Sequence, residues 1–289
     1  MNVRISTSQI QKVTNNIGNE MINQEEDFIK NPLVKHDIKC AKKIDKMVVS
    51  MDGAMINAYD GWKEVKTGTI FEIEETEKGL KSINKSYVSK IEDHLSFRKR
   101  IKAEANRRRY KEAKEIIVIG DGARWIWDLA ETEFPFSVKI LDWYHAKEHL
   151  HKIVKLLYPD DFKQSESLIK NLENILYDGN IEKLTNVINE NKKLSDIFDR
   201  VKDLADLQTE IEYFTKNAQK MQYKYFEEKK YPIGSGVIEG ACKQVVQLRL
   251  KRNGMKWENN GAHSILKLRT MYLSNRWDEV ISTIRKKIA

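Results

Sequence analysis

Apolar residues first gather in KMVVSMDG, a β-rich run that closes on a small polar turn, and WKEVKTGTIFEIEE follows after YDG as a second strand, or as a second and a third, of a meander. From Ser82 the spacing changes. Ile83, Tyr87, Ile91 and Leu95 recur every four positions, the stripe of an amphipathic helix that runs on toward the basic RRRY. EIIVIGDG is a continuous Ile/Val run of the kind buried on both faces of a sheet, and ARWIWDLAETEF restores helical spacing at Trp125, Leu129 and Ala130. SVKILDWYHAKEHLHKIVKLL repeats the strand-to-helix pattern. Two such repeats predict a parallel βαβ unit, so residues 46–158 read as an α/β sheet with mixed strand directions.

Beyond Pro159 the strand signal ends. Leu168, Leu172 and Ile175, then Ile181, Leu184 and Ile188, then Ile197, Val201, Leu204 and Ile211 all lie on helical stripes, which makes 159–230 an all-helical insertion. Pro232 and the glycines of YPIGSG break that run. GVIEGACKQVVQLRL restarts a helix, with Ile238, Ala241, Cys242 and Val245 toward the core, and a helical tail completes 231–289. Residues 1–45 are a polar lead-in, helical or loosely ordered, with no domain of their own and no assigned function.

Composition narrows the classes. Of 289 residues, 51 are Lys or Arg and 43 Asp or Glu, a net charge of +8 that suits a polyanionic partner. The charge is local, concentrated in KSYVSKIEDHLSFRKRIKAEANRRRYKEAK and LRLKRNGMKWENN. Each cluster reads either as a solvated helix surface or as a DNA contact. Cys40 and Cys242 are the two cysteines, too few for a disulfide framework or a cysteine zinc site. No apolar run reaches the roughly 18 residues of a membrane span, and no secretory leader opens the chain, so the expected address is the cytoplasm.

Three carboxylates stand out. Asp52 and Asp121 each follow an apolar strand and precede glycine, and strand ends are where open α/β sheets place ligands. The alternatives are an Asp-Gly hairpin for Asp52 and a helix N-cap for Asp121. Glu239 lies on the helix after the GSG turn, either as an (i, i+4) surface partner of Lys243 or as a ligand leaning over the strand ends. Lys243, Arg249, Lys251 and Arg252 would then follow a DNA backbone along that helix and its exit. Hard divalent cations take just such oxygen donors together with substrate phosphates. A rival constellation is Asp142-Trp-Tyr-His145-Ala-Lys-Glu148-His149, in which HAKEH matches H-x-x-E-H, the zinc motif of one class of metallopeptidases, with Glu148 as general base. Trp125, Trp127, Trp143 and Tyr144 flank the candidate acids, as core residues or as stacking surfaces for bases.

Taken together, MDGA at Asp52, WKEVKTG, GDGARWIWDLAETEFPFSVKILDWYHAKEHL and PIGSGVIEGACKQVVQLRLKRNGMKWENNGAHSILKLRTMYLSNRWDE resemble the Kra-type group of bacterial insertion-sequence transposases, members of the Asp-Asp-Glu superfamily with an RNase H-like core. The resemblance spans roughly residues 46–155 and 230–280. It implies a catalytic triad of Asp52, Asp121 and Glu239 holding two Mg²⁺ or Mn²⁺ ions, with the helical stretch as the family's insertion domain. Asp142 and His145 match the D-x-x-H signature of related transposases, an auxiliary motif near the active site, which weakens the peptidase reading. Implied partners are double-stranded DNA, as element ends and target, and further copies of the chain in a dimer or larger assembly on DNA. Implied chemistry is phosphodiester hydrolysis followed by strand transfer, in a nucleoid-associated protein. One departure bears on this. Only 51 residues precede Asp52, without the usual amino-terminal DNA-binding module, so a catalytically idle nucleic-acid-binding remnant is the alternative expectation.

Overall fold

A computed structural model describes residues 5–31, 44–195, 197 and 200–288; Cys40 lies outside them. The chain divides into two compact units. The first comprises Met1–Val118, Asp128–Ser137 and Gly236–Ala289, the second Ile119–Trp127 and Val138–Ser235.

The first unit opens with helix α1 (Thr7–Lys30), started by a capping box in which the Ser6 hydroxyl and the Gln9 side chain satisfy each other's backbone N–H groups. Three antiparallel strands follow: β1 (Lys46–Ala58), β2 (Gly61–Thr76) and β3 (Gly79–Lys90). Two expectations change here. Asp52-Gly53 is not a turn at a strand end: β1 runs straight through it, pairing Asp52 with Thr67, and the chain reverses at Tyr59-Asp60 instead. WKEVKTGTIFEIEE is accordingly one long strand. The segment from Ser82, expected as helix, is the body of β3, because the hairpin closed by Gly79 brings it into register with β2, and ladder hydrogen bonds outweigh a four-residue apolar spacing. Helix begins only at α2 (His94–Arg107), where the Asp93 carboxylate accepts from the Leu95 and Ser96 N–H groups. Leu95, the last member of the supposed stripe, is exposed.

Strand β4 (Glu115–Gly120) leads to α3 (Arg124–Glu133), and β5 (Val138–Leu141) leads to α4 (Trp143–Leu157). The strands hydrogen-bond in the order β3-β2-β1-β4-β5. The Glu115 N–H donates to the Asp45 carbonyl, so β4 starts beside the start of β1; the Asp142 N–H donates to the Gly120 carbonyl, so β5 ends beside the end of β4. The result is a mixed five-stranded sheet with flanking helices, a mixed α/β architecture consistent with an RNase H-like arrangement. The unit boundary passes through β4 and α3.

The second unit is otherwise helical: α4, α5 (Phe162–Tyr177), α6 (Ile181–Leu194), α7 (Val201–Asn217) and α8 (Tyr223–Glu228). The apolar stripes pack as the spacing implies at Leu168, Leu172, Leu184 and Ile188, all buried. Val201 does not; it opens α7 and stands 79% exposed.

The chain returns to the first unit as one composite helix, α9: an α-helical Gly236–Ala241, a π-helical Cys242–Gln247 and a closing turn Leu248–Leu250. Val245, Val246 and Leu250 pack with Ala54, Ile56 and Val65 of the hairpin, which lays α9 along the face of β1 that carries Asp52. Helices α10 (Asn259–Leu273) and α11 (Trp277–Ile288) complete the unit. Against α10 lies α1, so closely that a Cβ at Gly18 would meet Ser264 Cβ at 2.5 Å.

Candidate active site

Asp52 sits in mid-strand on β1, its carboxylate accepting from the adjacent Gly53 N–H at 2.6 Å. Opposite it on β2, Thr67 is fully buried and bonded to Ser89 at 3.0 Å. Cys242 arrives from α9 at the first residue of the π-helical segment, packed with Ile238 and Ala241 and against Tyr87. Burial pushes the Cys242 thiol far up from its ordinary range; the Asp52 charge and a hydrogen bond to Asp52 push it the same way, and Glu239 adds to the effect. The thiol therefore stays protonated and donates to the Asp52 carboxylate. Thus the first unit gathers Asp52, Glu239 and Cys242 into one neighbourhood, built from a strand and a helix far apart in the sequence. Pi-helical segments recur at functional sites because the extra residue per turn re-aims side chains.

Asp121 belongs to the second unit, at the carboxyl end of β4, where its Oδ1 accepts from the Ala123 N–H at 2.9 Å. Gly122 takes φ +104, a conformation that needs glycine, and a Cβ there would meet the Tyr213 hydroxyl at 2.9 Å. Tyr213, from α7, donates to the Asp121 backbone carbonyl at 3.3 Å. Burial raises the Tyr213 hydroxyl well above the usual tyrosine range, and the charges of Asp121 and Asp142 raise it further. It remains a proton donor. So the insertion supplies a group that touches the Asp121 turn directly.

The histidine cluster is built into the same unit. Asp142 is almost fully buried and caps α4, accepting from the His145 N–H at 2.6 Å through one oxygen and from the Ser235 N–H through the other. Its carboxylate thereby ties the entry of α4 to the GSG segment. His145 Nδ1 lies 3.3 Å from Glu148, and His149 Nδ1 contacts Glu210 of α7. The His149 ring stacks on Tyr213 with centroids 3.7 Å apart, and burial pulls its pKa down against the pull of Glu210. His149 thus takes part in the packing of α4 against α7, while His145 pairs with Glu148 along α4. Trp143 packs edge-on against Tyr223, at 4.8 Å, and Tyr177. Trp127 is buried, with Lys220 5.2 Å from its ring, while Tyr144 is 62% exposed. Among the described residues, the buried Trp127 Nε1 and Tyr223 hydroxyl of this unit find no hydrogen-bond partner.

Lys243, Arg249, Lys251 and Arg252 are all exposed on α9 and its exit.

The sequence profile of one family matches residues 2–283. The chain belongs to the uncharacterised protein family UPF0236. A search of curated proteins finds no match. Membership in UPF0236 is compatible with the transposase resemblance and names no activity.

For a metal, the donor chemistry is right in kind: carboxylates such as Asp52 and Glu239 of the first unit and Asp121 of the second offer the hard oxygen atoms Mg²⁺ and Mn²⁺ prefer, and the protonated Cys242 does not compete as a soft ligand. Among the described residues no group of three or more His, Cys, Asp or Glu side chains is gathered closely enough to hold an ion. No helix among them is long and apolar enough to cross a membrane. Tyr213, Glu210 and Ser235 escaped the sequence reading. They carry no local motif; only the return of α7 and of the GSG segment to the ends of β4 and β5 gives them a role.

Proposed function

We propose that this member of UPF0236 is the catalytic core of a DNA strand transferase that hydrolyses a phosphodiester and then joins the freed 3′ end to a second strand. The observation that supports it best is the placement of Glu239 and Asp52 around the Cys242 thiol: a helix carries the third acid of the resemblance back to the strand that carries the first. Nothing local in the sequence requires that meeting.

Asp52, Asp121 and Glu239 are the residues that would hold two divalent ions. When bound, such ions activate a water for attack on phosphorus and neutralise charge on the leaving 3′ oxygen. The chain's own groups prepare this. The Cys242 thiol, donating to Asp52, orients that carboxylate. The Tyr213 hydroxyl holds the Asp121 turn through its backbone carbonyl, and Asp142 fixes the start of α4 beside it. Lys243, Arg249, Lys251 and Arg252 supply positive charge for the DNA backbone. Double-stranded DNA is the substrate in this reading, bound by an assembly of two or more chains in the bacterial cytoplasm.

The test is cleavage and joining of a labelled duplex with Mg²⁺ or Mn²⁺, for the wild type, Asp52→Ala and Glu239→Ala, with a chelator control. Metal-dependent products that vanish in both variants are expected, and joined products separate a transferase from a nuclease. A wild type that binds DNA yet neither cuts nor joins with either metal overturns the proposal in favour of an idle DNA-binding remnant.

A further inference from the structure

Two large aromatic side chains stand in solvent at the tip of the β1–β2 hairpin: Tyr59, in the Tyr59-Asp60 turn, is 67% exposed and Trp62, the second residue of β2, 65%. Exposure of that size leaves a substantial apolar area in water, and it is concentrated at one end of the first unit. The tip is also held rigidly. Trp257 N–H donates to the Asn57 carbonyl at 3.1 Å, Tyr59 N–H donates to the Trp257 carbonyl at 3.0 Å, and Trp257 Nε1 donates to the Leu250 carbonyl at 3.1 Å. Asn259 adds a bond to Asp60 at 3.2 Å. The hairpin tip and the loop that leaves α9 are therefore bolted together as one surface, with Trp257 as the bolt.

The loop is what fixes the chemistry of the partner. Arg249, Lys251, Arg252 and Lys256 are exposed, and none of them forms an ion pair among the described residues; Lys256 Nζ lies 5.3 Å from the Tyr59 ring centroid. Asp60, the acid at the tip, is already engaged by Lys63 at 2.9 Å and by Asn259. Beside Tyr59 a cavity of 480 Å³ is walled by Ile10, Thr14, Met255, Trp257 and Ile265. Uncompensated cations next to exposed π faces suit a ligand that alternates phosphates with flat bases.

We propose that the β1–β2 tip and the 249–257 loop form a platform that stacks unpaired bases at a DNA strand end while the loop cations hold the adjoining phosphates. The proposal rests on the DNA reading above for the identity of its ligand. It adds a preference for frayed or single-stranded ends, and it requires no metal and none of the three acids. Base stacking on an aromatic side chain is tolerant of sequence, so the platform would recognise the opened state of an end and not its sequence.

The test is fluorescence anisotropy in chelator, comparing a blunt labelled duplex with the same duplex carrying a short single-stranded overhang. The Tyr59→Ala/Trp62→Ala variant is expected to lose about tenfold in affinity for the overhang and little for the blunt duplex, whereas Tyr59→Phe/Trp62→Phe keeps the preference. Lys251→Ala/Arg252→Ala is expected to weaken both ligands and flatten their salt dependence. Both aromatic positions are exposed, and matching thermal melts will confirm that the variants fold. Equal binding of overhang and blunt duplex by the wild type overturns the platform. So does an aromatic variant that binds the overhang normally but shifts from dimer to monomer in sedimentation, which would assign the surface to a second copy of the chain. An inactive enzyme that still prefers the overhang would sink the catalytic proposal and leave this one standing; an active enzyme without the preference would do the reverse.

Discussion

Two segments of the first unit are equally basic in sequence and opposite in use. In FRKRIKAEANRRR, along α2, most of the cations are paired within the unit, although Lys99 is exposed. Arg100, 3% exposed, bonds Glu25 and Glu26 of α1 and Glu92; Arg98 and Lys102 reach Glu133; Arg108 bonds Glu72 at 2.6 Å. Arg107 lies over the Phe28 ring at 4.5 Å, and Lys102 over Tyr110 at 4.5 Å. In LRLKRNGMK, at the exit of α9, Arg249, Lys251, Arg252 and Lys256 stay in solvent, without ion pairs among the described residues. A charge count cannot separate these cases. The first segment lies on a helix covered by α1 and the sheet, where each buried cation needs an anion; the second ends a helix at the surface, where charge remains available to a partner.

The contrast breaks most sharply at Arg100. Arg100→Met removes the buried cation that Glu25, Glu26 and Glu92 share and leaves them only Lys267 and Lys90; it should cost about 3 kcal/mol in denaturant unfolding while leaving the affinity of the folded protein for DNA near that of the wild type. A large loss of DNA affinity in folded protein would mean that the α2 cluster contacts nucleic acid after all.

Acid probes the same network. Desolvation raises the pKa of Glu25, but the charges of Lys267 and Arg100 overcome it and bring the carboxyl from 4.5 down to about 2. A depressed folded-state pKa gives stability that is full above the unfolded value and is lost as pH falls. The loss should therefore run from about pH 4.5 toward pH 2, amounting to roughly 3 kcal/mol, as seen in unfolding free energies across that window. Glu25→Gln should be less stable at neutral pH and show a flatter acid limb. An unchanged limb would remove Glu25 from the account.

The exposed segment should behave in the opposite way. Lys251→Ala/Arg252→Ala is expected to change stability by no more than about 0.5 kcal/mol. The same variant should reduce the slope of log affinity against log salt by about 2, one for each lost phosphate contact. Lys243→Ala carries the smallest effect, a slope change of about 1 with unaltered melting. If Lys243→Ala melts appreciably lower, the lysine has a structural partner and the contrast between the segments weakens.

The candidate site divides along similar lines. Asp121 was legible because an Ile/Val run followed by Asp-Gly and a helical pattern is a strand end, and β4 stops there. Asp52 carried the same Asp-Gly signal in a strand that does not stop, since the β2 ladder continues past Gly53 to Ala58. The dipeptide alone could not tell a turn from mid-strand; pairing with the neighbouring strand decided it. Cys242 was readable as core-facing from helical spacing, but its bond to Asp52 was not. Nor was the contact of Tyr213 with Asp121, made across the whole insertion.

Local pattern by itself determined the Ile/Val strand of β4, the strand-to-helix repeats, the helical insertion and the restart of helix after the GSG turn, because each depends on periodicity and breakers within a dozen residues. It also named every acid that the catalytic proposal uses. The tertiary structure alone decided that Ser82–Lys90 is strand, that Arg100 is buried and most other α2 cations are paired, that α9 carries a π-helical segment next to Asp52, and that Tyr59 and Trp62 are left in water. Each of those depends on which distant segment supplies the hydrogen bonds, counter-charges or cover, and chain closure over such separations leaves no signature in local sequence.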